Sequence, residues 1–202
     1  MRYDFVPMSS RSLLAIGAIL ALLGAGCAPV QPSSEYTASD PLKIPPLESS
    51  GSVATGQTLA LASMAFENGQ AIPERYTCKG QDFSPPLAFG GVPSGTVSLA
   101  LTMEDSDAQG ATYDHWVAFN MPATTPGIPE GDIVPGSLGT TTDGQMRYVG
   151  PCPPSGTHRY VFRLYALNKP LDLEDGATKA ELLQAMQGSI IQQAELVGMF
   201  GE

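Results

Sequence analysis

Apolar residues along the chain fall into short runs separated by turn residues, which is typical of strands. The strongest run is residues 160–167, Tyr-Val-Phe-Arg-Leu-Tyr-Ala-Leu, and residues 97–103 and 116–120 form two more. Residues 59–66 alternate loosely between apolar and polar and predict a first strand. Pro- and Gly-rich connections separate these runs. We therefore predict a mostly β fold, either a sandwich or a sheet core.

One helix is predicted near the end of the chain. Thr178 and Glu181 form the T-x-x-E pattern of a capping box. Apolar residues then follow at helical spacing on one face: Leu182, Leu183, Met186, Ile190, Ile191, Ala194 and Val197. The pattern predicts a C-terminal helix that continues to Val197, with Gly188 as a point where it divides into two pieces.

Composition and charge narrow the class of protein. The chain has 202 residues, of which 43% are hydrophobic and 15% charged, so one domain with a substantial core and some extensions is expected. The formal net charge is −10. Because nucleic-acid binding needs clustered Lys and Arg, we expect no nucleic-acid partner.

The N-terminus has the pattern of an export signal. Two arginines precede an apolar run at residues 13–23, and small residues then lead to Cys27. This stretch is similar to a bacterial lipobox, which predicts a signal peptide at 1–26 and a lipid on Cys27; plain secretion and an uncleaved anchor are the alternatives. Residues 27–57 are rich in Pro and Ser and predict a flexible tether. A domain at 58–202 would then be held in the cell envelope through lipid.

Two further cysteines, Cys78 and Cys152, remain after Cys27. In an oxidising compartment they would pair as a disulfide. The alternative is two buried thiols. Neither has the spacing of a zinc site, so no metal or other cofactor is expected.

Only two histidines occur, and both come just before predicted strands. His115 precedes the strand at 116–120, and His158 precedes the strand at 160–167. Binding residues often lie at such junctions between a loop and a rigid scaffold. Taken singly, each histidine is more often structural. Asp105 and Asp107 end the strand at 97–103, where a solvated turn is the alternative interpretation.

Four segments in order give these residues a context. They are DFSPPL at 82–87, DSDA at 105–108, HWVAFNMP at 115–122 and GPCPPSGTHRYVF at 150–162. Together they resemble the phosphatidylethanolamine-binding protein family, and most closely its bacterial branch described as Raf-kinase-inhibitor-like. The resemblance covers about residues 59–200 and implies a β-sandwich with a C-terminal helix. Ser106 stands where the family has Pro between two acidic residues.

The resemblance also implies a binding pocket. The family's pocket of one Asp, two His and one Tyr falls on Asp105, His115, His158 and Tyr160. Asp107 would lie close by, with Gly150 and Pro151 at the rim. Imidazoles, a phenol and backbone N–H groups can donate hydrogen bonds to a phosphoryl group without a strong positive field. Asp105 would orient one imidazole or bind the ammonium of a headgroup.

We therefore predict an exported, non-enzymatic binding module for a small anionic or phospholipid-headgroup ligand, with a possible regulatory role. The alternative function is that of an envelope protein that inhibits or binds a protein partner, whose identity the sequence does not give. A hydrolase is less favoured, because Ser84 and Ser155 lack the G-x-S-x-G context of a nucleophile. His115, His158 and Asp105 would hold a metal only loosely.

Overall fold

The computed structural model describes residues 57–131 and 133–202. The predicted signal peptide, Cys27 and the predicted tether up to residue 56 lie outside the described residues. The described elements are β1 (Ala60–Ser63), β2 (Gln70–Ala71), a 3-10 helix (Glu74–Tyr76), β3 (Leu87–Gly90), β4 (Ser98–Asp105), β5 (Tyr113–Pro122), β6 (Gly127–Ile128), β7 (Ser137–Leu138), β8 (Thr157–Leu167), α1 (Lys179–Ala185) and β9 (Ile190–Gly201). Within these two ranges, no helix has the length and apolarity that a membrane span requires.

The strands form two sheets, which confirms the predicted mostly β fold. A three-stranded sheet has the order β1-β3-β6, and a six-stranded sheet has the order β2-β9-β8-β4-β5-β7. Apolar side chains from both sheets meet in one core, for example Leu61 and Phe89 with Leu101 and Phe162. Burying one face of each sheet against the other is the packing of a β-sandwich.

The central strands are buried on both faces, because a second core lies behind the six-stranded sheet. There Val117, Phe119 and Leu167 pack with Leu182 and Met186 near α1. β4 and β8 therefore show nearly continuous burial along their length. Their sequences are correspondingly apolar without strict alternation, and the strands predicted at 97–103, 116–120 and 160–167 are all confirmed.

The predicted long helix is wrong beyond its first turns. The capping box of Thr178 and Glu181 is present, but α1 ends at Ala185, and Gly188 then takes a φ of +70°. Residues 190–201 form β9, which pairs antiparallel with β8 along its length. Ala194 and Leu196 face the core between the sheets with the period of two that a strand has. Leu183, predicted on the apolar face, is 40% exposed.

Candidate functional site

A cavity of about 560 Å³ opens at one end of the six-stranded sheet, where β4 ends and β5 and β8 begin. Its walls come from these strand ends and from three loops. The lining residues are Cys78, Asp82, Asp105, Ala108, Gln109, Tyr113, His115, Asp143, Val149, Gly150, Cys152, Pro153, Pro154, His158 and Tyr160. Five of the seven predicted ligand-binding residues, all except Asp107 and Pro151, therefore line one cavity.

His158 and Asp105 form a buried pair at the base of the cavity. His158 Nδ1 lies 2.7 Å from Asp105 Oδ2. The other carboxylate oxygen of Asp105 accepts a hydrogen bond from the backbone N–H of Asp107 at 2.9 Å. Because an ionised carboxylate can only accept, Nδ1 of His158 donates, and the ring is fixed with Nε2 as its remaining polar atom.

A β-bulge directs His115 into the same cavity. Met103 on β4 pairs with Trp116 on β5, but the next residue, Glu104, pairs with Asp114, so His115 is an extra residue on β5. In a strand without a bulge, the side chains of His115 and Trp116 would point to opposite faces of the sheet. An extra residue re-aims the neighbouring side chains, as bulges near binding sites commonly do.

The His115 ring has a defined tautomer. Its Nδ1 lies 2.7 Å from the carbonyl oxygen of Val149, which can only accept, so Nδ1 donates and Nε2 remains. Burial lowers the pKa of His115, and this outweighs the opposing effects of the Val149 carbonyl and of nearby carboxylates, Asp105 first among them. Near neutral pH the ring is therefore uncharged.

Tyr160 contributes a hydroxyl that lies beside the Asp105 carboxylate and the Cys152 backbone but outside good hydrogen-bonding geometry with either. The side chain is fully buried, its ring meets that of His115 edge-on at 5.2 Å, and among the described residues its OH makes no hydrogen bond. Burial raises the pKa of Tyr160 most, the charge and the acceptor oxygens of the adjacent Asp105 carboxylate raise it further, and the Cys152 backbone opposes them, so the phenol stays protonated. Native proteins rarely leave a buried hydroxyl unsatisfied, and those that occur call for an explanation.

The loop at Gly150 closes one side of the cavity. The Gly150 N–H donates to Asp82 Oδ1 at 2.6 Å, and Asp82 Oδ2 accepts from Arg147 at 2.9 Å. A Cβ at position 150 would lie 2.6 Å from the same Asp82 oxygen, so only glycine allows this approach. The Gly150 amide therefore holds the loop in place.

Cys78 and Cys152 form a disulfide across the wall of the cavity, with their Cα atoms 5.5 Å apart. Both residues are exposed, so the alternative of two buried thiols is wrong. A backbone hydrogen bond joins the same two segments, because the Cys78 N–H donates to the Pro151 carbonyl at 3.1 Å. Pro151 itself is buried and does not line the cavity.

Asp107 lies outside the cavity and pairs with Arg159. Its carboxylate accepts from the backbone N–H, Nε and Nη2 of Arg159, and these bonds lower the pKa of Asp107 to about 2. The backbone N–H of Ser106 donates to the Arg159 carbonyl at 3.1 Å, a bond that the family's usual Pro would lack. The turn is thus fastened to β8 by Arg159.

Several lining residues were not predicted from the sequence. The Tyr113 ring packs against that of His115 at a tilt of 48°, with ring centroids 4.6 Å apart, and the pKa of Tyr113 is raised by burial and by a hydrogen bond with Asp143. Gln109 and Asp143 come from loops. Tyr113 sits two residues before His115 and could have been found from that spacing, but nothing in the sequence marks the two loop residues.

The charge of the cavity is mixed. Of the described residues, three aspartates and two histidines line it, while no Lys or Arg does. Within the described ranges, no group of three or more His, Cys, Asp and Glu residues could hold a metal ion. Asp105 turns both of its oxygens towards His158 and Asp107. The Tyr160 hydroxyl and the Nε2 atoms of the two histidines are among the polar atoms left for a ligand, and the side-chain amide of Gln109 also lines the cavity.

Comparison with known proteins places this arrangement in a family. Residues 62–201 match the phosphatidylethanolamine-binding protein family. A UPF0098 protein of Methanothermobacter thermautotrophicus is 47% identical over 146 residues, which cover 69% of this chain and 97% of that protein. A UPF0098 protein of Chlamydia muridarum is 40% identical over 147 residues, covering 70% of this chain and 98% of that protein.

Two solved structures support the same family assignment. A crystal structure of a phosphatidylethanolamine-binding protein homologue from Chlamydia trachomatis is 39% identical, with a TM-score of 0.70, and covers 72% of this chain and 99% of that one. The structure of YbcL from E. coli, described as a new member of the mammalian family, is 27% identical with a TM-score of 0.67 and covers 71% of this chain and 98% of that one. This chain belongs to the phosphatidylethanolamine-binding protein family.

Proposed function

We propose that the domain is a ligand-binding module whose cavity holds a phosphoryl or similar anionic headgroup through Tyr160, His158 and His115. The observation that carries the proposal is the convergence of Asp105, His115, His158 and Tyr160 on one cavity, where the Tyr160 hydroxyl is buried outside hydrogen-bonding geometry with any described residue. A ligand oxygen would satisfy it. Two imidazole rings, each fixed through Nδ1, donate to the ligand from Nε2 once that nitrogen has taken up a proton.

The charge of the lining favours a ligand with a single negative charge. Asp82, Asp105 and Asp143 would repel a polyanion, and no Lys or Arg among the lining residues offsets them. A phosphodiester, as in a phospholipid headgroup, carries one charge and could meet both the Tyr160 hydroxyl and a protonated imidazole. Proton uptake on Nε2 of His115 would accompany binding, because that ring is neutral in the free protein.

Nuclear magnetic resonance can test this proposal directly, since the chain has only two histidines. We expect dimethyl phosphate and inorganic phosphate to shift both imidazole signals with saturation, and to shift them differently from chloride at equal ionic strength. His115→Gln assigns the two signals. Signals that stay in place, or that follow chloride equally, would exclude the anion pocket.

We propose binding and not catalysis as the role of the cavity. The His158–Asp105 pair would suit a general base, but a covalent hydrolase also needs a nucleophile close to Nε2. Neither serine considered above lines the cavity. Ser84 lines a separate cavity and Ser155 is exposed. We expect no turnover of phosphate mono- or diesters by the purified protein.

Export and lipid attachment are also proposals, supported by the sequence of residues 1–57 alone. An exported location suits the disulfide, because such bonds persist in oxidising compartments. Mass spectrometry of the protein from its native membrane would show a chain that begins at acylated Cys27. A mass equal to the full sequence would contradict it.

Membership of the bacterial Raf-kinase-inhibitor-like branch is proposed from the four ordered motifs at 82–87, 105–108, 115–122 and 150–162.

A further inference from the structure

Five charged residues lie together on the face of the six-stranded sheet that is turned away from the cavity. We call them the back-face cluster: Glu104 on β4, Asp114 on β5, Arg163 on β8, Glu195 on β9 and Lys179 at the start of α1. The Lys179 ammonium bonds to both Glu104 and Asp114. Arg163 bonds to Glu104 and to Glu195. The cluster thus joins four strands and the helix.

The register places this cluster directly behind the cavity. Glu104 pairs with Asp114 across β4 and β5, and the next pair along the strands is Asp105 with Tyr113, both of which line the cavity. Successive side chains in a strand point to opposite faces. Each carboxylate that Lys179 holds is therefore the chain neighbour of a residue that lines the cavity.

The strand ends need such a bridge for two reasons. The bulge at His115 interrupts the β4–β5 pairing just before Glu104 and Asp114. These two carboxylates then face each other across the strands, and like charges directly opposite destabilise a sheet. A cation bonded to both converts this repulsion into a link between the strand ends.

Lys179 is suited to this link because it is nearly buried and charged. The side chains of Lys179 and Glu104 are each 13% exposed. Burial alone would lower the pKa of Lys179, but the hydrogen bonds with Asp114 and Glu104 outweigh it, so the pKa of Lys179 is raised. Withdrawing one partner from a buried ion pair leaves the others uncompensated.

We infer that Lys179 is a positioning residue for the cavity: it holds the ends of β4 and β5 together so that Asp105, Tyr113 and His115 keep their mutual geometry. The inference rests on the proposed function, because its effect is read as ligand affinity. Its physical content is independent of the ligand, since it concerns the arrangement of the strand ends.

The test compares Lys179→Met with two other variants, using inorganic phosphate as the probe at a mildly acidic pH, where most of it carries a single negative charge. Lys179→Met unlinks the strand ends but also makes the cluster more negative. Adding Glu195→Gln restores the net charge of the cluster and leaves Glu104 and Asp114 facing each other. Leu167→Ala is the stability control, because it opens a cavity in the same back core at the far end of β8.

We expect Lys179→Met to raise the Kd for phosphate about tenfold, the lower end of what lost outer partners cost in metal sites. The double variant should stay equally weak, and Leu167→Ala should lower the Tm while keeping the wild-type Kd. A wild-type Kd in Lys179→Met, recovery in the double variant, or equal weakening by Leu167→Ala would each overturn the positioning role.

A ligand-free measurement separates this inference from the proposed function. Without phosphate, the His115 imidazole signal should shift in Lys179→Met and in the double variant, and should stay in place in Leu167→Ala. If the wild-type protein failed to bind phosphate, the proposed function would fall while these signals still decided the role of Lys179. An unchanged His115 signal in both Lys179 variants would refute it.

Discussion

Replacing Tyr160 with Phe should separate stability from binding. An unsatisfied buried polar group costs about 1–3 kcal/mol, and Tyr160→Phe removes one while keeping the ring that packs against His115. We expect the ligand-free protein to gain about 1 kcal/mol in free energy of unfolding. For a domain of this size, that gain corresponds to a rise of about 2–4 °C in Tm.

The same change should weaken binding. A hydrogen bond to a charged group contributes about 1.5–3 kcal/mol, so the Kd for phosphate should rise roughly 10- to 150-fold. Tyr165→Phe is the matched control, since Tyr165 is a buried tyrosine of the same strand that packs in the back core. We expect it to keep the wild-type Kd. Calorimetric melting and phosphate titration of both variants supply the comparison.

Two results would refute this reasoning about Tyr160. A loss of stability of about 1 kcal/mol or more in Tyr160→Phe would mean that the hydroxyl has a structural partner in the free protein. An unchanged Kd would mean that the hydroxyl does not contact the ligand. A gain in stability together with a loss of affinity is the pattern expected of a group kept for binding.

Three further predictions concern the cavity wall. Burial lowers the pKa of His115 below its unfolded value of about 6.5, so the unfolded state binds more protons. The free energy of unfolding should therefore fall as the pH drops through that value. Urea unfolding at several pH values should show a smaller loss of this free energy in His115→Gln than in the wild type. Reducing the Cys78–Cys152 bond should lower the free energy of unfolding by roughly 2–4 kcal/mol, and an unchanged urea midpoint in Cys78→Ser/Cys152→Ser would contradict this. Gly150→Ala should cost about 1–3 kcal/mol and weaken phosphate binding, because its Cβ would meet Asp82 Oδ1 at 2.6 Å; thermal melting and titration check both effects.

The fold was predictable where burial on both faces made the sequence continuously apolar. β4 and β8 are such strands. β9 was not predictable from its own sequence, because Ile190, Ile191, Ala194 and Val197 also satisfy helical spacing, and a short stretch can fit both periods. Pairing with β8 decided between them, and that contact is tertiary. β2, β6 and β7 contain only two residues each, too few for any pattern to show.

The site was predictable in its strand residues and less so in its loops. Asp105, His115, His158 and Tyr160 belong to ordered motifs and all line the cavity. Asp143 reaches it only through the path of a loop, which no local pattern reveals. Asp107 was assigned to the pocket because it lies two residues from Asp105, but its pairing with Arg159 holds it outside.

The bulge at His115 separates the cavity end of β5 from the part that packs in the core. On one side, Trp116 to Ala118 keep one register with β4, which shifts again only before Met121, and on the other side Tyr113 and Asp114 follow a register shifted by one residue. Insertions or substitutions in the loop before Tyr113 can therefore change the mouth of the cavity without moving the core side chains. The sandwich can in this way retain its interior through evolution while the chemistry at its open end diversifies.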